Sequence, residues 1–149
     1  MPGAEAVGPS RPVVLDASVA IRWLVPEPAT EEATALLEQP FSWTAPRRIR
    51  TEITAARRRK VGDGELLDHE ALQSLDVFLR LVDAGAVSVA NDENLIHAAL
   101  ALALLLGHKL PDCVYLALAE RQGIGLVTAD RRLGALAERR GVPTVLLAS

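Results

Sequence analysis

The chain has 149 residues, near the common size of a single compact domain. Half of them are hydrophobic and the mean hydropathy is +0.20, which supplies a core and excludes a disordered chain. Sixteen Lys and Arg against nineteen Asp and Glu leave a net charge of −3, so bulk charge announces neither a nucleic-acid nor a membrane partner. The aromatic residues, Trp23, Phe41, Trp43, Phe78 and Tyr115, are too few for a base-stacking sheet. A lone Cys113 forms no intrachain disulfide and fits a reducing, cytoplasmic setting. The longest apolar run, Ala98–Leu106, falls well short of the roughly 20 residues that cross a bilayer. A soluble protein without a membrane partner is expected.

Residues 1–12, with three prolines and two glycines and no signal-peptide core, read as a flexible arm ahead of one domain over 13–149. Val13-Val14-Leu15 is a wholly apolar strand of the kind covered on both faces. Ala17–Val25 can be helical until Pro26 and Pro28 stop it. Thr30–Gln39 reads as a second helix with Ala33, Leu36 and Leu37 on one side, and Phe41–Ala45 as a second strand. Pro46 suits the first turn of a helix running to about Lys60. Asp63 is a candidate cap for a long helix whose Leu67, Ala71, Leu75, Phe78 and Val82 form one stripe ending near Gly85. Ala86–Ala90 is a third strand. Asn91 or Asp92 then caps an Ala/Leu-rich helix that stops at Gly107. Pro111–Gln122 is helical up to Gly123, Gly125–Thr128 is a fourth strand, Arg131–Arg140 a helix and Pro143–Leu147 a last strand. The alternation predicts a three-layer α/β/α domain around a mostly parallel sheet of four to five strands, with two helices in three of the connections.

Ligands of an open parallel sheet gather at the carboxyl ends of its strands. Asp16 directly follows the first strand, Glu52 lies early in the helix after the second, Asp112 opens a helix near the same edge, and Asp130 follows the fourth strand. Each has a plainer role, since Asp is a favoured helix cap and Glu52 could sit on a solvated face. Their recurrence at one rim favours a common site. Two such charges 4 Å apart repel by about 4 kcal/mol at an effective dielectric of 20. A divalent cation removes that cost, and hard oxygen donors favour Mg²⁺, with Mn²⁺ as a substitute, over zinc.

These motifs resemble the PIN-domain ribonucleases. Val13-Val14-Leu15-Asp16-Ala17-Ser18 is similar to their opening strand and Asp-x-Ser step, and Pro46 through Glu52-Ile53 to their second acidic motif. Pro111-Asp112-Cys113-Val114-Tyr115-Leu116-Ala117-Leu118-Ala119 resembles the third, and Leu126-Val127-Thr128-Ala129-Asp130 the closing Thr-x-Asp. A stand-alone chain of this size is most similar to VapC toxins of bacterial and archaeal toxin–antitoxin pairs. The resemblance implies a magnesium-dependent endoribonuclease, usually dimeric and inhibited by a VapB-like antitoxin. Asp16, Glu52, Asp112 and Asp130 would surround the metal, and Ser18 and Thr128 would orient ligands or water behind them. The arm over 1–12 and Cys113, where the family commonly has Ala, depart from the pattern without touching the acids.

Arg47, Arg48, Arg50, Arg57, Arg58, Arg59 and Lys60 form a local positive field. Arg48, Arg50 and Arg59 are candidate contacts for RNA or antitoxin, unless the run is a solvated face or Arg48 merely screens Glu52. His69, His97 and His108 stand away from the strand ends and read as surface or packing residues. Cys113 has no neighbouring His and reads as a small buried residue. Trp23 and Leu24 are candidates for a dimer or antitoxin surface. Two other functions compete: an Asp-nucleophile phosphatase, for which Ser18 stands where a second Asp is usual, and a non-catalytic PIN-like RNA-binding scaffold. No Walker loop or dinucleotide glycine fingerprint occurs.

Overall fold

The computed structural model describes residues 10–24, 30–91 and 93–148. Five strands, β1 (Arg11–Leu15), β2 (Phe41–Pro46), β3 (Val87–Ala90), β4 (Gly125–Thr128) and β5 (Thr144–Leu146), pair in the order β3-β2-β1-β4-β5. Every pairing is parallel. The helices are α1 (Ala17–Trp23), α2 (Thr30–Ala35), α3 (Ile49–Gly62), α4 (Asp68–Asp83), α5 (Ile96–Leu106), α6 (Leu110–Gln122) and α7 (Arg131–Arg139). Two helices fill each of the first three connections, as parallel crossovers require, and the three-layer α/β/α reading holds.

The strand cores are apolar because both faces are covered. Val14, Leu15 and Val127 are fully buried. Helix α6 is buried without interruption from Cys113 to Ala119 and lies across β2, β1 and β4. Burying each Leu or Phe of this core contributes about 1.5–3 kcal/mol. Because the sheet is parallel, Asp16 after β1, Thr128 ending β4 and the start of α3 after β2 all emerge at one edge. No single helix among the described residues is long and apolar enough to cross a membrane.

Several local expectations are corrected. The first strand begins two residues earlier than its apolar run: Arg11 and Pro12, assigned to the arm, pair with Phe41 and Ser42. Residues 1–9 of that arm lie outside the described residues, as do Pro26, Pro28 and Asp92. Pro46 ends β2 rather than opening α3, and the next ladder bond to β3 comes from the Arg47 N–H to the Ala90 carbonyl, 2.9 Å. The second helix stops at Ala35 and tightens into a 3₁₀ turn over Leu36–Glu38, which leaves Leu37 exposed.

Asp63 closes α3 instead of opening α4. Its N–H donates to the Arg59 carbonyl, and Gly64, at φ 76°, lets the Glu65 N–H reach back to Lys60. Helix α4 starts at Asp68, where Glu70 accepts the Leu67 N–H at 2.9 Å, so Leu67 stands exposed outside the stripe that Phe78 anchors. Ala86 lies in the turn that closes α4, its N–H bonded to the Leu81 carbonyl, and β3 starts at Val87. Asn91 does act as a cap, its side chain accepting the Glu93 N–H at 3.1 Å. Trp23 turns inward: its ring packs edge-on against Trp43 at 5.2 Å and its indole N–H donates to the Ala33 carbonyl. Leu24 packs partly buried against the same core.

Candidate active site

The pairing of β1 with β4 sets Leu15 beside Val127, so the next residues of each strand, Asp16 and Thr128, come side by side. Asp16 is 6% exposed. Its Oδ2 accepts two hydroxyl hydrogen bonds, from Ser18 Oγ at 2.5 Å and Thr128 Oγ1 at 2.8 Å. Both hydroxyls are oriented from behind, since Ser18 accepts the Ala129 N–H and Thr128 accepts the Asp130 N–H, each at 3.0 Å. The Asp-x-Ser and Thr-x-Asp steps thus interlock into one network.

Burial pushes the Asp16 carboxyl up from 3.8 to about 6. Hydrogen bonds from Ser18 and Thr128 pull the other way, and the negative charges of Asp112 and Glu52 add to the rise. Three acids remote in sequence therefore share one electrostatic neighbourhood. Glu52, in the first turn of α3, is held by Arg48 Nε at 3.0 Å and by the Tyr115 hydroxyl at 2.8 Å, both on Oε1. Tyr115 is 1% exposed, and burial together with Glu52 and Asp16 drives its hydroxyl far above the ordinary range. It stays protonated and donates to Glu52. Asp112 Oδ2 lies 2.8 Å from His108 Nε2 and 3.8 Å from Lys109 Nζ.

Asp130, expected among the acids of the site, also acts as a helix cap. Its Oδ1 accepts the backbone N–H groups of Arg132 and Leu133 at 2.9 and 3.2 Å and so caps α7. Arg48 screens Glu52, whereas Arg50 is half-buried and Arg59 exposed. Arg57 is 3% exposed, so the basic run is not one solvated face. Cys113 is fully buried, and burial raises its thiol, which leaves no thiolate nucleophile. Sequence reasoning missed the position of His108 on Asp112 and the hydroxyl that Tyr115 gives Glu52. The four-residue spacing of His108 and Asp112 was a visible signal for the first. The Tyr115 bond spans 63 residues and had no local signal.

As placed, no group of three or more Asp, Glu, His or Cys among the described residues is close enough to hold one ion. The donor chemistry nonetheless fits a hard divalent cation. Asp16 is a buried carboxylate beside two more, and all the nearby oxygen donors are carboxylates or hydroxyls.

The family model for the PIN domain matches residues 13–139. This chain belongs to the PIN-domain family. PIN domains are generally nucleases that use divalent metal ions. No curated protein matches the chain in sequence. Among solved structures, PAE2754 from Pyrobaculum aerophilum aligns at 21% identity over 91% of this chain and 84% of its own, with a TM-score of 0.67. A toxin–antitoxin complex from Klebsiella pneumoniae aligns at 19% identity over 89% and 95%, TM-score 0.60. VapBC2 from Rickettsia felis, bound to a DNA fragment from its promoter, aligns at 10% identity over 92% and 99%, TM-score 0.64. At these identities the likeness is one of fold, and this PIN domain shares its architecture with proteins of toxin–antitoxin pairs.

Proposed function

We propose that this PIN domain is a magnesium-dependent endoribonuclease, the cytoplasmic toxin of a VapBC-type pair, which works as a homodimer and is held inactive by a VapB-like antitoxin. The observation that carries the reading is Asp16, a buried carboxylate fixed by Ser18 and Thr128 within the field of Glu52 and Asp112. Such charges in one pocket call for a cation between them. Held by Asp16, Glu52, Asp112 and Asp130, Mg²⁺ or Mn²⁺ would polarise the phosphodiester and lower the pKa of a water.

The chain's own groups do the positioning. Ser18 and Thr128 occupy Oδ2 of Asp16 and set the plane of its carboxyl group. Tyr115 and Arg48 restrain Glu52, and His108 restrains Asp112, so cation binding competes with these contacts. Hydrolysis adds a water oxygen to phosphorus and breaks one ester P–O bond; a proton passes from the water to a carboxylate of this set, and the leaving ribose oxygen takes up a proton from solvent to depart as a hydroxyl.

The dimer reading draws support from α5, where Ile96, Leu100, Leu104 and Leu105 are 49–76% exposed on one short helix. The antitoxin reading draws on the fold shared with the Klebsiella and Rickettsia complexes.

The test is cleavage of total RNA by purified, antitoxin-free protein, with Mg²⁺ or EDTA, beside Asp16→Asn and Asp112→Asn. Scission that needs the metal and is lost in both variants supports the proposal. RNA binding without scission in the wild type would leave only the scaffold, and phosphate release from small esters would point to the phosphatase.

A further inference from the structure

A cleft of about 350 Å³ adjoins the acids, between α7 and the turn that joins α5 to α6. His108, Arg131, Arg132, Ala135, Leu136 and Arg139 line it. His108 connects it to the candidate site, because the same ring contacts Asp112 at 2.8 Å. At the other end Asp130 immediately precedes Arg131 and caps the helix that carries all three arginines.

The arrangement on α7 concentrates positive charge. Residues 131, 135 and 139 step by four, and 132, 135 and 139 by three and four, so the guanidinium groups surround Ala135 on one face. The small Ala135 leaves the middle of that face open, and buried Leu136 forms its floor. The three arginines are exposed, and none has a carboxylate partner among the described residues. The adjacent Arg140, by contrast, is tied to Glu120 by bonds of 2.6 and 3.2 Å. Arg131 and Arg132 also occupy the first turn of α7, where the helix dipole disfavours cations, and no acid shares that turn. Three exposed guanidiniums without partners, grouped around one concavity, suit an external anion. The fork of each matches phosphate oxygens.

We infer that this cleft binds a backbone phosphate of single-stranded RNA beside the phosphate to be cut, with the strand running from the acids past His108 onto α7. The inference rests on the ribonuclease reading and adds to it the surface that holds the substrate. The charge logic is complementary. The acids repel a polyanion wherever a cation does not screen them, so a substrate strand needs fixed positive charge alongside.

The experiment measures binding apart from cleavage. Asp16→Asn protein is titrated against a fluorescein-labelled oligouridylate by anisotropy over a series of KCl concentrations, alone and combined with Arg131→Ala/Arg132→Ala/Arg139→Ala. Arg139→Ala alone serves as a milder variant, and Arg121→Ala, at the far end of α6, as a control; thermal melts verify folding. The triple variant should weaken binding at least about tenfold at low salt. It should also flatten the slope of log affinity against log salt by about 0.7, the contribution of one phosphate contact on a single strand. Arg139→Ala should show a smaller change of the same sign, and Arg121→Ala none. Unchanged affinity and slope in the triple variant, while the wild type still cleaves RNA, would overturn the cleft and leave the nuclease standing. Unchanged oligouridylate binding with loss of oligoglutamate binding would overturn it in favour of an acidic peptide. A wild type that neither binds nor cuts RNA would remove both readings together.

Discussion

Replacing Asp16 by Asn tests the electrostatics of the site without any assumption about substrate. In the folded protein the carboxyl ionises at about 6, against 3.8 for the unfolded chain. Each pH unit between those values corresponds to 1.36 kcal/mol, so the ionised group lowers stability by about 3 kcal/mol above pH 6. The sign is fixed by proton binding. Between pH 4 and 6 the native state holds the Asp16 proton that the unfolded state has lost, so stability falls as pH rises through this window. Below about pH 4 both states are protonated and the penalty vanishes. Asn keeps an acceptor for Ser18 and Thr128 but never ionises, and its amide N–H groups need acceptors of their own in a buried place, which reduces the gain. Urea unfolding in EDTA should therefore show Asp16→Asn more stable than the wild type by about 1–3 kcal/mol at pH 7.5, and close to it at pH 4. Adding Mg²⁺ to a hundredfold excess over its Kd should return about 2.7 kcal/mol to the wild type and nothing comparable to the variant. An Asn variant that is no more stable at pH 7.5, with a pH profile parallel to the wild type, would refute the reasoning.

Other perturbations isolate single contacts. Asp130→Ala removes the cap of α7 and should cost about 1 kcal/mol in denaturant unfolding, whereas Asp130→Asn, which retains an acceptor, should stay within about 0.5 kcal/mol of the wild type. Tyr115→Phe takes the buried hydroxyl from Glu52 and should cost about 1.5 kcal/mol, the low end for a bond to a charged group, because Glu52 is 26% exposed. In the cleavage assay it should lower kcat more than it raises KM, since the tyrosine positions Glu52 rather than RNA. Gly125→Ala would put a Cβ 2.9 Å from the Pro143 carbonyl oxygen and force β4 and β5 apart. A loss of about 1–3 kcal/mol is expected there, read as a drop of roughly 3 °C in Tm per kcal/mol.

Most of the fold was legible in the chain because its signals are local. Apolar triplets such as Val13-Val14-Leu15 mark strands covered on both faces, and Gly107 and Gly123 end helices where they were expected to. The Asp-x-Ser and Thr-x-Asp steps were also readable, with the acids at the carboxyl ends of strands. Errors clustered where one residue type suits two neighbouring roles. Asp63 can open a helix or close one, and Gly64 with the backbone bonds of Lys60 decided for closing. Pro46 can begin a helix or end a strand, and pairing with β3 decided for the strand.

The sequence by itself determined the succession of strands and helices and the acids that follow them, since backbone preferences and capping act over a few residues. Only the tertiary structure decided that β1 lies against β4, that Tyr115 reaches Glu52, that His108 rests on Asp112, that Trp23 packs against Trp43 and that Arg57 is buried. Those outcomes depend on which apolar faces exclude water together, a choice made by the whole sheet and its helices that no short segment encodes.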